Sequence, residues 1–340
     1  WSTVCFWNLD ARVKLLVAKM LAFTDVSFVD VSPGGYAFLE MEAVREFGNL
    51  IAFSEESYYC RLNHLVLKWN GEYPELSRDK LQVIPNGVPR PRRQKTGYDV
   101  PHCPRIVVSG RIAPSKFIIE IIDAVRIVRQ KYKHAELHFY GSAELDDSAY
   151  AERAVAHAGD EMGRSVFFHG PHFSVVELLH EFDVFVVLGK HQGCPNAFLE
   201  ALAVGMPSVG NNDGGTSEQI IHEHTGLLIE SNEPSVLAQA ITRLLGDRSF
   251  AKKLGEAGRA HVHSAFGMEL MVKRYATLFQ RVPEEFLEEK GNRIMTLPHG
   301  AVIYDINDQN ICFTDALTIK SESNDLRQII FFPDGHLRFD

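Results

Sequence analysis

Apolar residues in this chain fall into short runs closed by glycine, separated by longer stretches with helical spacing. Ile106–Ser109 ends at Gly110-Arg111, Leu137–Tyr140 at Gly141-Ser142, Val166–His169 at Gly170, and Val184–Leu188 runs into Gly189 and Gly193. Each run has the length and the bounding turn of a buried strand. Between the first two, about Lys116–Tyr132 sets Ile118, Ile122, Val125 and Val128 on one side of a helix. Tyr150–Ala158 and Val175–His180 read as further helices. Strands alternating with helices predict an α/β domain, a parallel sheet covered on both faces. Ligands of such sheets lie beyond the carboxyl ends of the strands. All four glycine turns fall there, so the pattern predicts one crevice.

The same reading extends to both sides. Downstream, Pro207-Ser208-Val209 starts a strand, Thr216 a helix, and helices are predicted near Val236–Leu245, Ala251–Phe266 and Met268–Phe279. Upstream, the spacing predicts a helix over Ala11–Phe23, a strand over Val26–Val31, and a turn at Ser32-Pro33-Gly34-Gly35. A helix over Ala37–Phe47 and a short strand over Leu50–Phe53 follow. Ser54 or Ser57 reads as the cap of a helix running through Leu67, and Leu81–Ile84 is another strand. After Arg281 the pattern changes to antiparallel strands at Ala301–Ile306, Ile311–Ile319 and Gln328–Phe332. The expected division is a partial N-terminal Rossmann-like domain at 1–88, a linker at 89–104, a Rossmann-like domain at 105–280 and a β-rich appendage at 281–340. The linker's Arg90, Arg92, Arg93 and Lys95 read as a solvated loop.

Composition narrows the function classes. The chain has 340 residues, 45% apolar and 23% charged, with a net charge of −9 and a sequence pI near 5.9. That balance speaks against broad nucleic-acid binding. The five cysteines are scattered without metal-like pairing, which points to a reducing compartment. His222-Glu223-His224 precedes Thr225-Gly226 and reads as a turn, not a metal site. Asp305, Asn307 and Asp308 lack the glycine and the closing glutamate of a calcium loop. Val13–Phe23 is interrupted by Lys14 and Lys19 and is too short to span a bilayer. The first residue is Trp1, which reads as processing or as a piece of a longer chain.

Candidate chemistry gathers in two places. Gly110-Arg111 followed by Lys116 offers two cations just beyond a strand end, one a bidentate fork and one a point charge. Gln192-Gly193-Cys194-Pro195-Asn196 opens a helix whose N-terminus presents unpaired N–H groups, a seat for an anion. Pro195 suits its first position, Glu200 lies too far along to cap it, and Gly205 ends it. Gly214-Gly215 opens the next helix.

These segments resemble the signatures of retaining glycosyltransferases of the GT-B fold, the family called glycosyl transferases group 1 (family four). One signature is Glu-Gly-x-Pro-Asn, then three residues and a second Glu. Gly193, Pro195, Asn196 and Glu200 match it, and Gln192 replaces the first Glu. A second is Gly-Arg-x-x-x-x-Lys-Gly, matched by Gly110, Arg111 and Lys116, with Phe117 at the last glycine. Gly214, Gly215 and Glu218 match Gly-Gly-x-x-Glu, and Ile84-Pro85-Asn86-Gly87-Val88 resembles the passage that closes the N-terminal domain. By this comparison the front half of that domain is absent.

The resemblance implies that Arg111 and Lys116 hold the diphosphate of a nucleotide sugar, and that Glu200 grips the ribose hydroxyls. Gln192, with the N–H groups of Gly193 and Cys194, would face the donor sugar. Gly214, Gly215 and Glu218 would be site architecture. It implies no metal and no cofactor. The expected partners are a nucleotide sugar and a glycan or lipid-linked acceptor, with no nucleic acid. Peripheral membrane contact and an oligomer contact through 295–340 stand as further candidates. The expected location is cytoplasmic, at the inner face of the membrane if that contact is made. Two other readings remain: a catalytically silent GT-B module that binds nucleotide or a protein partner, favoured by Gln192, and an NAD-linked dehydrogenase. The second is weakened because no Gly-x-Gly-x-x-Gly opens a helix after a strand.

Overall fold

The computed structural model describes residues 3–7, 27–31, 54–58, 81–99, 102–143, 147–190, 192–291, 329–331 and 337–339, with side chains between 84 and 279. Two parallel sheets make up the described α/β body. The first has the order β1 (Thr3–Trp7), β2 (Ser27–Val31), β3 (Ser54–Tyr58), β4 (Leu81–Val83). The second contains β5 (Arg105–Ser109), β6 (Glu136–Tyr140), β7 (Val166–Phe168), β8 (Val184–Val187), β9 (Ser208–Asn211) and β10 (Leu227–Ile229), in the order β10-β9-β8-β5-β6-β7.

Every pairing in the second sheet is parallel, and Ile106 of β5 faces both Leu137 of β6 and Val184 of β8. The chain therefore winds outward through β6 and β7, returns to the other side of β5, and winds outward again. Beyond the carboxyl ends of β5 and β8, where the winding reverses, the sheet leaves a crevice.

Alternation along the strands builds two cores. Ile106, Val108, Val184, Val186 and Leu188 face the helices α1 (Ile118–Lys131), α2 (Ser148–Ala158) and α5 (Pro234–Gly246). Val107, Phe185 and Val187 face α3 (Asn196–Val204) and α6 (Arg248–Ala265). On α1 the buried positions are Ile118, Ile121, Ile122, Ala124, Val125 and Val128, each large one stabilising the fold by about 1.5–3 kcal/mol. Tyr150 of α2 holds the start of α1, its hydroxyl accepting from the Ile118 N–H at 3.0 Å.

Several expectations shift. β3 is Ser54–Tyr58, and the strand expected at Leu50–Phe53 lies outside the described residues. Ser54 and Ser57 are thus strand residues paired with β2 and β4, not helix caps. Pairing on both sides overrides a polar local pattern. Val175–His180 forms two 3-10 turns, Val175–Glu177 and Leu179–Glu181, instead of one helix. Between α3 and α5 lies the single-turn α4 (Thr216–Gln219).

The final helix, α7 (Met268–Gly291), continues past Phe279 through Pro283. Pro283 lacks the N–H that would bond the Phe279 carbonyl, and the helix passes through it nonetheless. The predicted helices at 11–23 and 37–47, the helix through Leu67, and the strands at 301–306 and 311–319 lie outside the described residues. Ile329–Phe331 (β11) pairs antiparallel with Leu337–Phe339 (β12).

Lys95 is not solvated. It is 5% exposed, its ammonium donates to the Phe182 carbonyl at 2.5 Å, and its N–H bonds the Val204 carbonyl. Burial lowers its pKa. The Tyr98 hydroxyl donates to the Gly205 carbonyl at 2.9 Å, so the segment after Val88 lies fixed against the second domain.

Two glycine turns, after β5 and after β6, touch directly. Gly110 bonds the Tyr140 carbonyl, and Ile112 bonds the Ser142 carbonyl. Gly141 has a φ of +146°, and a Cβ there would lie 1.9 Å from the Gly110 carbonyl oxygen. Gly141→Ala is expected to destabilise the fold by about 2–4 kcal/mol, read as a lower urea midpoint. Gly97→Ala, which meets nothing within 4 Å, serves as the control. Equal midpoints for the two would refute the close approach.

Candidate active site

A cavity of about 630 Å³ opens at the reversal point of the second sheet. The end of β5 supplies Ser109, and the loop after it supplies Gly110, Arg111, Ser115 and Lys116. The loop after β8 supplies Lys190, Gln192, Gly193 and Cys194, and the start of α3 supplies Pro195, Asn196 and Ala197. The Lys190 N–H bonds the Ser115 carbonyl at 2.9 Å, which ties the two loops together.

Lys116 ends a 3-10 turn, Pro114–Lys116, and Phe117 follows with φ +54° and ψ +41°. That left-handed conformation accounts for the family's glycine at this position. A side chain there costs about 1–2 kcal/mol, offset in this chain by Phe117 packing on the core beneath α1. The Lys116 ammonium donates to Gln192 Oε1. Burial, and then the nearby Arg111 guanidinium, lower its pKa to about 8. Gln192 Nε2 is buried and has no hydrogen-bond partner among the described residues.

Three features shape the Gln192 loop. Gly189 has no side chain to collide with Gln192, whose amide would lie 1.6 Å from a Cβ there. The Asn211 amide donates to the Gly189 carbonyl at 2.7 Å and accepts from its N–H at 3.0 Å. Gly215 donates its N–H to the Gln192 carbonyl at 2.8 Å. Gly214, with φ +56°, lies so close that a Cβ would sit 2.2 Å from that same oxygen. Gly214 and Gly215 thus act beneath the loop rather than in the cavity wall.

Pro195 is the cap of α3 instead of its first residue, and α3 has no side-chain cap. The N–H groups of Phe198 and Leu199 turn back to the Pro195 carbonyl. Those of Asn196 and Ala197 have no acceptor among the described residues, and both residues line the cavity. Buried Cys194 accepts a hydrogen bond from Gln219 Nε2 at 3.0 Å.

Glu200 follows Asn196 by one helical turn and does not line the cavity. Its carboxyl is raised in pKa by burial, and among the described residues no hydrogen bond or ion pair reaches it. Glu218 is exposed on α4, away from the cavity wall. The structure therefore brings Gly110, Arg111, Lys116, Gln192, Gly193, Cys194, Pro195 and Asn196 to one cavity. It leaves Gly214, Gly215, Glu200 and Glu218 outside the wall.

Sequence reasoning missed Asn211 and Asn86. Asn211 sits at a strand end, a signal the pattern offered. Asn86, in the Pro-Asn-Gly turn after β4, donates from Nδ2 to the Cys194 carbonyl at 3.1 Å and to Asn196 Oδ1 at 2.9 Å. His222–Gly226 is a turn as expected. No described group of three or more His, Cys, Asp or Glu residues has the placement to hold a metal. No described helix is long and apolar enough to cross a membrane.

Two parallel sheets with a cavity at the reversal point of the second are the fold of GT-B glycosyltransferases. Anabaena HepE, solved in complex with UDP and glucose, shares it with a TM-score of 0.68 at 17% identity, over 81% of this chain and 77% of that one. Residues 101–261 match the family Glycosyl transferases group 1. YtcC of Bacillus subtilis (strain 168) is 30% identical over 185 residues, 52% of this chain and 45% of that one. N-acetyl-alpha-D-glucosaminyl L-malate synthase of Bacillus anthracis is 33% identical over 117 residues, 34% of this chain and 31% of that one. The chain spans less than half the length of these two curated relatives.

Proposed function

We propose that this chain transfers a sugar from a nucleotide-diphosphate sugar to a glycan or lipid-linked acceptor, with retention at the anomeric carbon and without a metal. One observation carries the reading: Arg111, Lys116 and the first residues of α3, Asn196 and Ala197, line one cavity. Two cations and a helix N-terminus offer positive charge where a departing diphosphate gathers negative charge. Glu200, half-buried with no partner among the described residues, suits the hydroxyls of a ribose.

Gln192 is a carboxamide and supplies no nucleophile, so the reaction runs on the face of the leaving group. The bond from the anomeric carbon to the phosphate oxygen breaks, and the acceptor oxygen bonds to that carbon. The acceptor proton passes to the released diphosphate. The sheet of β1–β4 belongs on the acceptor side of this scheme. Work at the cytoplasmic face of a membrane fits a lipid-linked acceptor.

Gln192 also favours a second reading, a module that binds nucleotide and does no chemistry. Incubation with uridine, guanosine and adenosine diphosphate sugars separates the two. Release of nucleoside diphosphate supports the transferase. Tight nucleotide binding with no release from any donor supports the silent module, and no binding at all rejects both.

A further inference from the structure

We propose that Asn86 is a positioning residue that sets the phosphate-facing end of α3 from the exit of β4, a role that rests on the functional reading above. Asn86 Nδ2 has two hydrogens, and both have acceptors at α3: the Cys194 carbonyl at 3.1 Å and Asn196 Oδ1 at 2.9 Å. With its oxygen held, the Asn196 side chain has Nδ2 left to donate, and the residue lines the cavity. An amide released from this tie can turn its oxygen toward the cavity, where it would repel a phosphate.

The backbone that carries Asn86 cannot follow such a turn. A Cβ on Gly87 would lie 2.8 Å from both Met268 Cα and Met271 Cβ. The Val88 N–H bonds the Phe266 carbonyl at 2.9 Å, and the Met268 N–H bonds the Val88 carbonyl at 3.0 Å. Ile84 packs on Leu278 of α7, and α7 lies against β1 and β2. Asn86 therefore holds α3 from a fixed mount. The amide reaches a loop more than a hundred residues away in sequence, while α3 itself has no side-chain cap.

The test is a double-mutant cycle with inorganic pyrophosphate as probe, read by calorimetry on the unsubstituted chain, Asn86→Ala, Asn196→Ala and the pair. Asn86→Ala is expected to weaken binding about tenfold. The pair is expected to bind no more weakly than Asn196→Ala alone, a coupling that a merely structural residue would not show. Unchanged affinity in Asn86→Ala, or full additivity in the pair, overturns the proposal and leaves the functional reading standing. Coupling without turnover of any nucleotide sugar upholds Asn86 and rejects the transferase. A chain that does not bind pyrophosphate rejects both.

Discussion

Arg111→Ala and Lys116→Ala are each expected to weaken binding of a nucleoside diphosphate by about 10- to 100-fold. The estimate takes about 1.5–3 kcal/mol for a hydrogen bond to a charged group, at about 1.4 kcal/mol per decade. Both line the cavity, Arg111 exposed and Lys116 half-buried. Arg111→Ala removes a planar fork and should leave the circular dichroism spectrum unchanged. Lys116→Ala also strips Gln192 Oε1 of its donor, so its loss should be the greater of the two. Titration calorimetry with UDP, GDP and ADP decides the matter. Affinities that match the unsubstituted chain for all three would remove the diphosphate from this cavity.

Affinity for that diphosphate is expected to fall as pH rises through about 8. Burial and the neighbouring Arg111 guanidinium bring the Lys116 pKa down from 10.5 to about 8, so the cation is lost there. With about one lysine in ten still charged a unit above its pKa, affinity drops about tenfold between pH 7 and pH 9. The sign for folding is opposite. Between about 8 and 10.5 the unfolded chain keeps a proton that the folded chain has released, so this group's contribution to stability rises across that window. It is least favourable below pH 8. Lys116→Arg should flatten the binding profile, because arginine stays charged. Gln192→Glu should move the fall to higher pH, since a carboxylate beside the ammonium favours its charged form. An unchanged profile in both variants would show that another group titrates.

Much of the second domain was legible in the sequence. Strands β5 to β8 are short, largely apolar runs followed by glycines, and this pattern also located Arg111 and Lys116 beyond β5. What escaped depends on partners distant in the chain. Ser-Glu-Glu-Ser-Tyr has no apolar alternation, and it becomes β3 because β2 and β4 offer it two ladders. Lys95 looked like part of a basic loop, yet its ammonium finds the Phe182 carbonyl. Phe117 read as a simple exchange for glycine until its backbone proved left-handed. The two hydrogen bonds of Asn86 join residues more than a hundred positions apart in the chain, and no local rule anticipates them.

The bridge between Val88 and Gly267 has a mechanical consequence. The chain leaves the first sheet at Val88 and turns back toward it at Gly267, so both covalent crossings pass one spot, stitched by two backbone hydrogen bonds. A displacement of one crossing at this spot must therefore be shared by the other.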